Sequence, residues 1–87
     1  MNDLRAREIL KYYTQASVVE RFLRDHYRHT PGSKIRRGIV CDSVKNTLDL
    51  PLNPHTHRRI TKTMLAMGGR RILIDGRAFW GDIEPTT

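Results

Sequence analysis

Disulfides are the first support this sequence lacks. It holds one cysteine, Cys41, so no intramolecular bridge can form, and such sparse use of cysteine fits a reducing compartment. Long apolar runs are missing too: nothing approaches the roughly 18 residues of a membrane span, and no secretory signal pattern opens the chain. Both absences point to an intracellular protein of the cytoplasm or nucleoid, or of the nucleus if eukaryotic, with no membrane partner. Aromatic residues are few, at 7%. A chain of 87 residues makes one domain that buries only roughly 60–65% of its unfolded surface, so each large apolar side chain matters. Acidic residues are scarce as well: nine stand against sixteen Lys and Arg, for a net charge of +7. That imbalance is clustered, and clustering points to a polyanionic partner.

The residues for metal or covalent chemistry do not come in useful spacings. His26, His29, His55, His57 and Cys41 include no Cys pair and no His–Cys pair at finger spacing. On a helix, His55 and His57 would diverge by about 200°. Asp42 beside Ser43, and the pair Asp82 and Glu84, are the nearest approach to a catalytic set. Neither has an implied partner of the kind a nucleophile or metal needs. Asp42 reads instead as balancing the N-terminal end of a helix. No enzyme, cofactor, metal or small-molecule substrate is expected.

What the chain does have is a capped basic helix over residues 53–69, NPHTHRRITKTMLAMGG. Asn53 is an N-cap whose side-chain oxygen can accept from the first free N–H groups. Pro54 takes the first helical position, where its missing N–H costs nothing. Ile60, Met64 and Met67 share a face, bordered by Leu65. Arg58, Arg59, Lys62 and Thr63 fall on the others, and Gly68-Gly69 supplies a left-handed stop. RRILIDGRAFWGDI follows at once and reads as a β-hairpin turning at Asp75-Gly76. Ile72 and Ile74 share one face of its first strand. Phe79 and Trp80 are adjacent and so point oppositely: one belongs in the core, and the other covers an edge or meets a ligand.

Upstream, residues 2–13 can form an extra N-terminal helix that packs on the domain, pairs two copies as a homodimer, or stays loose. Ser17 and Glu20 form a capping-box pattern. The helix they open runs to about Arg28, with Val18 or Val19, Phe22, Leu23 and His26 or Tyr27 inward. Thr30-Pro31-Gly32-Ser33 reads as a turn. Lys34 to Arg37 is a short strand with basic residues around Ile35. A helix follows from about Gly38 to Leu48, using Ile39 or Val40, Val44 and Leu48, and Pro51 prevents its continuation. Glu84 to Thr87 reads as a frayed tail. The division is therefore residues 1–16 as an N-terminal helix, 17–84 as the domain and 85–87 as a tail. The expected fold is α+β: a winged helix-turn-helix, with a three-helix core and a C-terminal β-hairpin wing, preceded by the extra helix.

From about Ser17 to Ile83 the pattern resembles two winged-helix groups. One is the C-terminal domain of viral, phage and plasmid primase-helicases of the poxvirus type, in VVERFL (Val18 to Leu23), Pro31-Gly32-Ser33, LPLN (Leu50 to Asn53), AMGGRRI (Ala66 to Ile72) and DGRAFWGDI (Asp75 to Ile83). The other is the DNA-binding domain of regulatory factor X transcription factors, in Pro51 to Asn53 and in Arg70-Arg71 entering the hairpin. The helicase motor is absent. Both groups often carry aromatics near the position of His57 and where this chain has Val44 and Asn46. Both resemblances imply DNA binding. In the regulatory factor X group the wing, not the helix, enters the major groove.

The leading expectation is double-stranded DNA binding, by a small regulator or a replication or packaging accessory of a phage, virus or mobile element. The candidate contacts are His55, Thr56, Arg58, Arg59, Lys62, Thr63, Arg70, Arg71 and Arg77. Arg can take guanine O6 and N7 together, whereas Lys62 suits a single phosphate. Trp80 is either a stacking platform for an exposed base or a core residue. The alternatives are a protein-protein interaction module built on the same fold, supported by residues 2–13, and a single-strand or RNA binder.

Overall fold

The computed structural model describes residues 17–86. The expected helix over residues 2–13 and the homodimer contact assigned to it lie outside them. A first helix, α1, covers residues 17–26. Strand β1 (Tyr27–Arg36), helices α2 (Arg37–Leu48) and α3 (Pro54–Ala66), and strands β2 (Arg70–Ile74) and β3 (Arg77–Pro85) follow. The strands form one antiparallel sheet in the order β1-β3-β2. The described residues are thus α+β, with three helices and a three-stranded sheet, an arrangement compatible with a winged helix.

The core is where the helices meet the inner sheet face. Val19, Phe22 and Leu23 of α1, Tyr27 and Ile35 of β1, Val40 and Val44 of α2, Ile60 and Met64 of α3, and Trp80 and Ile83 of β3 are all buried. Val19 is inward rather than Val18, and Val40 rather than Ile39, which is 52% exposed. The Tyr27 hydroxyl lies 2.8 Å from Ser43 Oγ, and Ser43 Oγ donates to the Val40 carbonyl at 2.8 Å. Ser43 has one proton, already committed to Val40, so Tyr27 is the donor between them.

α1 stops two residues short of Arg28. Ser17 is already helical rather than a cap, and Glu20 accepts from Arg24 Nε at 3.2 Å. His26 closes the helix by donating from Nδ1 to the Phe22 carbonyl at 3.0 Å, its ring stacked on Phe22. α2 begins at Arg37 with no acidic residue in its first turn. Asp42 is therefore too far along to balance that helix end, contrary to expectation.

The largest departure from the expected outline is β1. Its pairing with β3 runs from Tyr27↔Pro85 to His29↔Ile83, then resumes at Lys34↔Gly81. Thr30, Pro31, Gly32 and Ser33 therefore face the single residue Asp82, so the expected turn is a bulge inside a long strand. Asp82 itself has a φ of +63°, a left-handed conformation that Asp tolerates better than most residues. Its carboxylate accepts from the Gly32 N–H at 2.9 Å and from Arg70 Nε at 2.7 Å. Glu84 accepts from Arg28 Nε at 2.7 Å, Thr30 Oγ1 at 3.0 Å and Ser33 Oγ at 3.3 Å. Thr86, expected in a frayed tail, is pinned, because its N–H donates to the His26 carbonyl at 2.9 Å.

These bonds make a pH prediction. The Gly32 N–H, and then Arg70, hold the Asp82 carboxyl below the usual carboxylate range. Arg28, and then Thr30, do the same to Glu84. A carboxyl depressed by folding contributes stability that is full above its unfolded value and fades as pH falls through the folded one. Melting temperature should therefore fall between about pH 5 and pH 2, and the pair Asp82→Asn with Glu84→Gln should flatten that fall. An identical acid limb in the double variant would show that the bulge bonds contribute nothing.

Candidate nucleic-acid interface

α3 forms where the sequence places its signals. Asn53 Oδ1 accepts from the Thr56 N–H at 2.9 Å and from Thr56 Oγ1 at 3.1 Å, with Pro54 at the start. At the other end Gly69 N–H donates to the Met64 carbonyl at 2.9 Å, and Gly68 N–H to Leu65 at 3.1 Å. That pair of bonds is a Schellman stop. Gly68 has a φ of +94°, and a Cβ there would press on the His29 ring. The turn into β2 is therefore packed as well as conformationally restricted.

At about 100° per residue, Ile60, Thr63 and Met64 share the inward side of α3, and all are buried. Thr63 is a correction: expected among the DNA contacts, it is 3% exposed and faces the core. Arg58 and Lys62 are exposed on the opposite side with His55. Leu65, expected at the core border, joins that outward stripe at 45% exposure. Arg59 is about one residue's rotation from Arg58, toward the buried side, and is half-buried. Thr56 spends its hydroxyl proton on the cap. It can accept from a ligand there but cannot donate.

The hairpin splits the remaining basic residues. Asp75 and Gly76 both have positive φ, +51° and +77°, as a type I′ turn requires. Directly paired residues share a face. Arg71 pairs with Trp80, which is 1% exposed in the core, so Arg71 lies on the inner face of the sheet and Leu73 with it. Arg70 and Arg77 pair with Gly81 and Ile74 and lie on the outer face. Arg70 is also ion-paired to Asp82, so the six arginine and lysine candidates are not one continuous surface. Trp80 as a stacking platform is overturned: its ring is enclosed by the core, and Arg37 sits 5.2 Å from its centre.

Two sets of polar groups make their contacts within the fold. Asp82 and Glu84 serve the bulge. Cys41 Sγ lies 3.8 Å from His57 Nδ1, but burial, partly offset by Arg37, pushes the thiol pKa up and keeps it protonated. Among the described residues no three His, Cys, Asp or Glu side chains gather into a metal-binding group. No helix among them is long and apolar enough to cross a membrane. Two cations that sequence reasoning did not single out, Lys34 and Arg36, are exposed on the outer face of β1. Their alternation with buried Ile35 was the available signal.

Compared with protein-family models, with curated proteins and with solved structures, the chain matches none.

Proposed function

We propose that the protein binds double-stranded DNA as a winged helix-turn-helix, with α3 as the recognition helix and the β2–β3 hairpin as the wing. The observation that carries this reading is the outward stripe of α3. Arg58 and Lys62 stand exposed on a helix whose opposite side is anchored by Ile60, Thr63 and Met64. A helix so anchored can offer its cations to a groove without losing core contacts. Arg71 and Arg77 extend the cation supply along the wing, one from each face. By resemblance, the setting is regulation, replication or packaging in a phage, virus or mobile element.

Arg58, Arg59, Lys62, Arg71 and Arg77 are five cations placed to displace counterions, Arg70 being engaged by Asp82. Each displaced counterion adds roughly −0.9 to the slope of log K against log salt, so duplex binding should show a slope near about −4.5. An electrophoretic mobility assay across a salt series, with duplex, single strands and RNA side by side, measures it. Absence of duplex binding at low salt, or a slope flatter than about −2, would remove this reading and favour a protein-interaction role.

A further inference from the structure

The face of the sheet turned away from the helices has a composition that duplex binding through α3 does not explain. Register defines it. Phe79 faces outward because Trp80 faces inward, and its lateral partners are Arg36 on β1 and Ile72 on β2. In the next row Lys34 and Arg70 flank Gly81, and toward the hairpin tip Ile74 lies opposite Arg77. Phe79, Ile72 and Ile74 are half-buried, and the four cations around them are exposed. Lys34 Nζ sits 6.0 Å from the centre of the Phe79 ring. Of the four cations only Arg70 has a carboxylate partner among the described residues. Gly81 adds no side chain beside the ring. A Cβ there would collide with the end of Ile72, which leans across it.

An aromatic ring on the central strand, with apolar side chains on one flank and cations on the other, suits a ligand with both flat apolar and anionic parts. A protein partner would need carboxylates for the cations and an apolar patch larger than three half-buried side chains. A duplex keeps its base faces stacked inside, where Phe79 cannot reach them. A single strand exposes both bases and phosphates. We infer that the outer sheet face binds single-stranded nucleic acid, one base stacking on Phe79 while Lys34 and Arg36 hold its phosphates. The Lys34 ammonium moves from the ring to a phosphate as the base arrives. Phe79, Lys34 and Arg36 are separate from the outward stripe of α3, so one molecule can hold a duplex on that stripe and a single strand on the sheet together.

Fluorescence anisotropy of the full chain with a labelled oligothymidine of about twelve nucleotides and, in parallel, a labelled blunt duplex tests the assignment. Phe79→Ala should weaken oligothymidine binding about 5- to 150-fold, the worth of one stacked base, and leave duplex affinity within about twofold. Phe79→Tyr should retain binding. Lys34→Ala and Arg36→Ala, both at exposed positions, should each make the single-strand salt slope shallower by about 0.7. They decide the matter even should Phe79→Ala fail to fold. Arg58→Ala should spare the single strand. Retention of oligothymidine binding with loss of the duplex would sink the duplex reading and leave this one standing. It is overturned by a wild-type chain that ignores oligothymidine at low salt, by unchanged slopes in the Lys34 and Arg36 variants, or by an Arg58→Ala variant that loses both ligands together.

Discussion

Trp80→Ala should cost about 3–5 kcal/mol of stability, the range for removing a large buried aromatic. Trp80 is 1% exposed on the central strand, where it pairs with Ile35 on one side and Arg71 on the other. Its ring also carries the Arg37 guanidinium, so the substitution removes a cation–π contact worth about 0.5–2 kcal/mol along with the packing. Against this stands one unsatisfied group: Trp80 Nε1 is buried with no hydrogen-bond partner, which offsets part of the gain from burying the ring. Domains of this size have a net stability of roughly 0.05–0.15 kcal/mol per residue, so the loss is a large fraction of the total. Thermal denaturation should show a drop in Tm of roughly 12–40 °C. Leu73→Ala is the control, because Leu73 is 76% exposed and its loss should fall within about 0.5 kcal/mol. A Trp80→Ala variant melting within a few degrees of wild type would contradict the burial on which the sheet's inner and outer faces were assigned.

Arg58→Ala should reduce affinity for a preferred duplex by about 1–3 kcal/mol and relax base preference at one position. The structure favours Arg58 over Arg59 for this role. Arg58 shares the outward stripe with Lys62, while Arg59 turns toward the buried flank and is half-covered. Arg77 stands just past the hairpin turn, exposed, on the outer face. Arg77→Ala should weaken all duplexes about equally and make the salt slope shallower by about one, as for a phosphate contact. A wing inserted in the major groove, as the regulatory factor X resemblance implies, reverses the assignment: Arg77→Ala would then relax sequence preference and Arg58→Ala would lose only affinity. Titrations of both variants against a panel of duplexes distinguish the two modes. If both bind every duplex as tightly as wild type while folded by circular dichroism, neither element is the DNA surface.

The parts of the fold that were legible in the sequence are those set by short-range chemistry. Asn53-Pro54 opens α3, Gly68-Gly69 closes it and Asp75-Gly76 turns the hairpin, all within a few residues of the feature each controls. The start of β1 at Tyr27 was not legible. Thr30-Pro31-Gly32-Ser33 carries turn chemistry, and what makes it a bulge is a pair of carboxylates, Asp82 and Glu84, about fifty positions away. Adjacency placed Phe79 and Trp80 on opposite faces, but only the helices covering one of those faces decide which residue is core. Thr63 was misread because its polarity suggested an outward position, whereas its spacing from Ile60 and Met64 puts it inward. The basic candidates were found as a group, but strand alternation distributes them over two faces of the sheet, and a linear cluster conceals that.

β3 lies at the centre of the sheet yet is its last strand in sequence. β1 and β2 touch each other nowhere in the ladder, and each pairs only with β3. While the chain emerges from the ribosome at about 5–20 residues per second, β1 therefore waits several seconds for a partner that the helices cannot replace. Until β3 arrives, the inner sheet face lacks Trp80 and Ile83, and the helices have nothing complete to pack on. Closing the loop between Tyr27 and Pro85 is the late, entropically costly step. The helices can form early, but the domain should close in one concerted event that a stop codon before β3 prevents altogether.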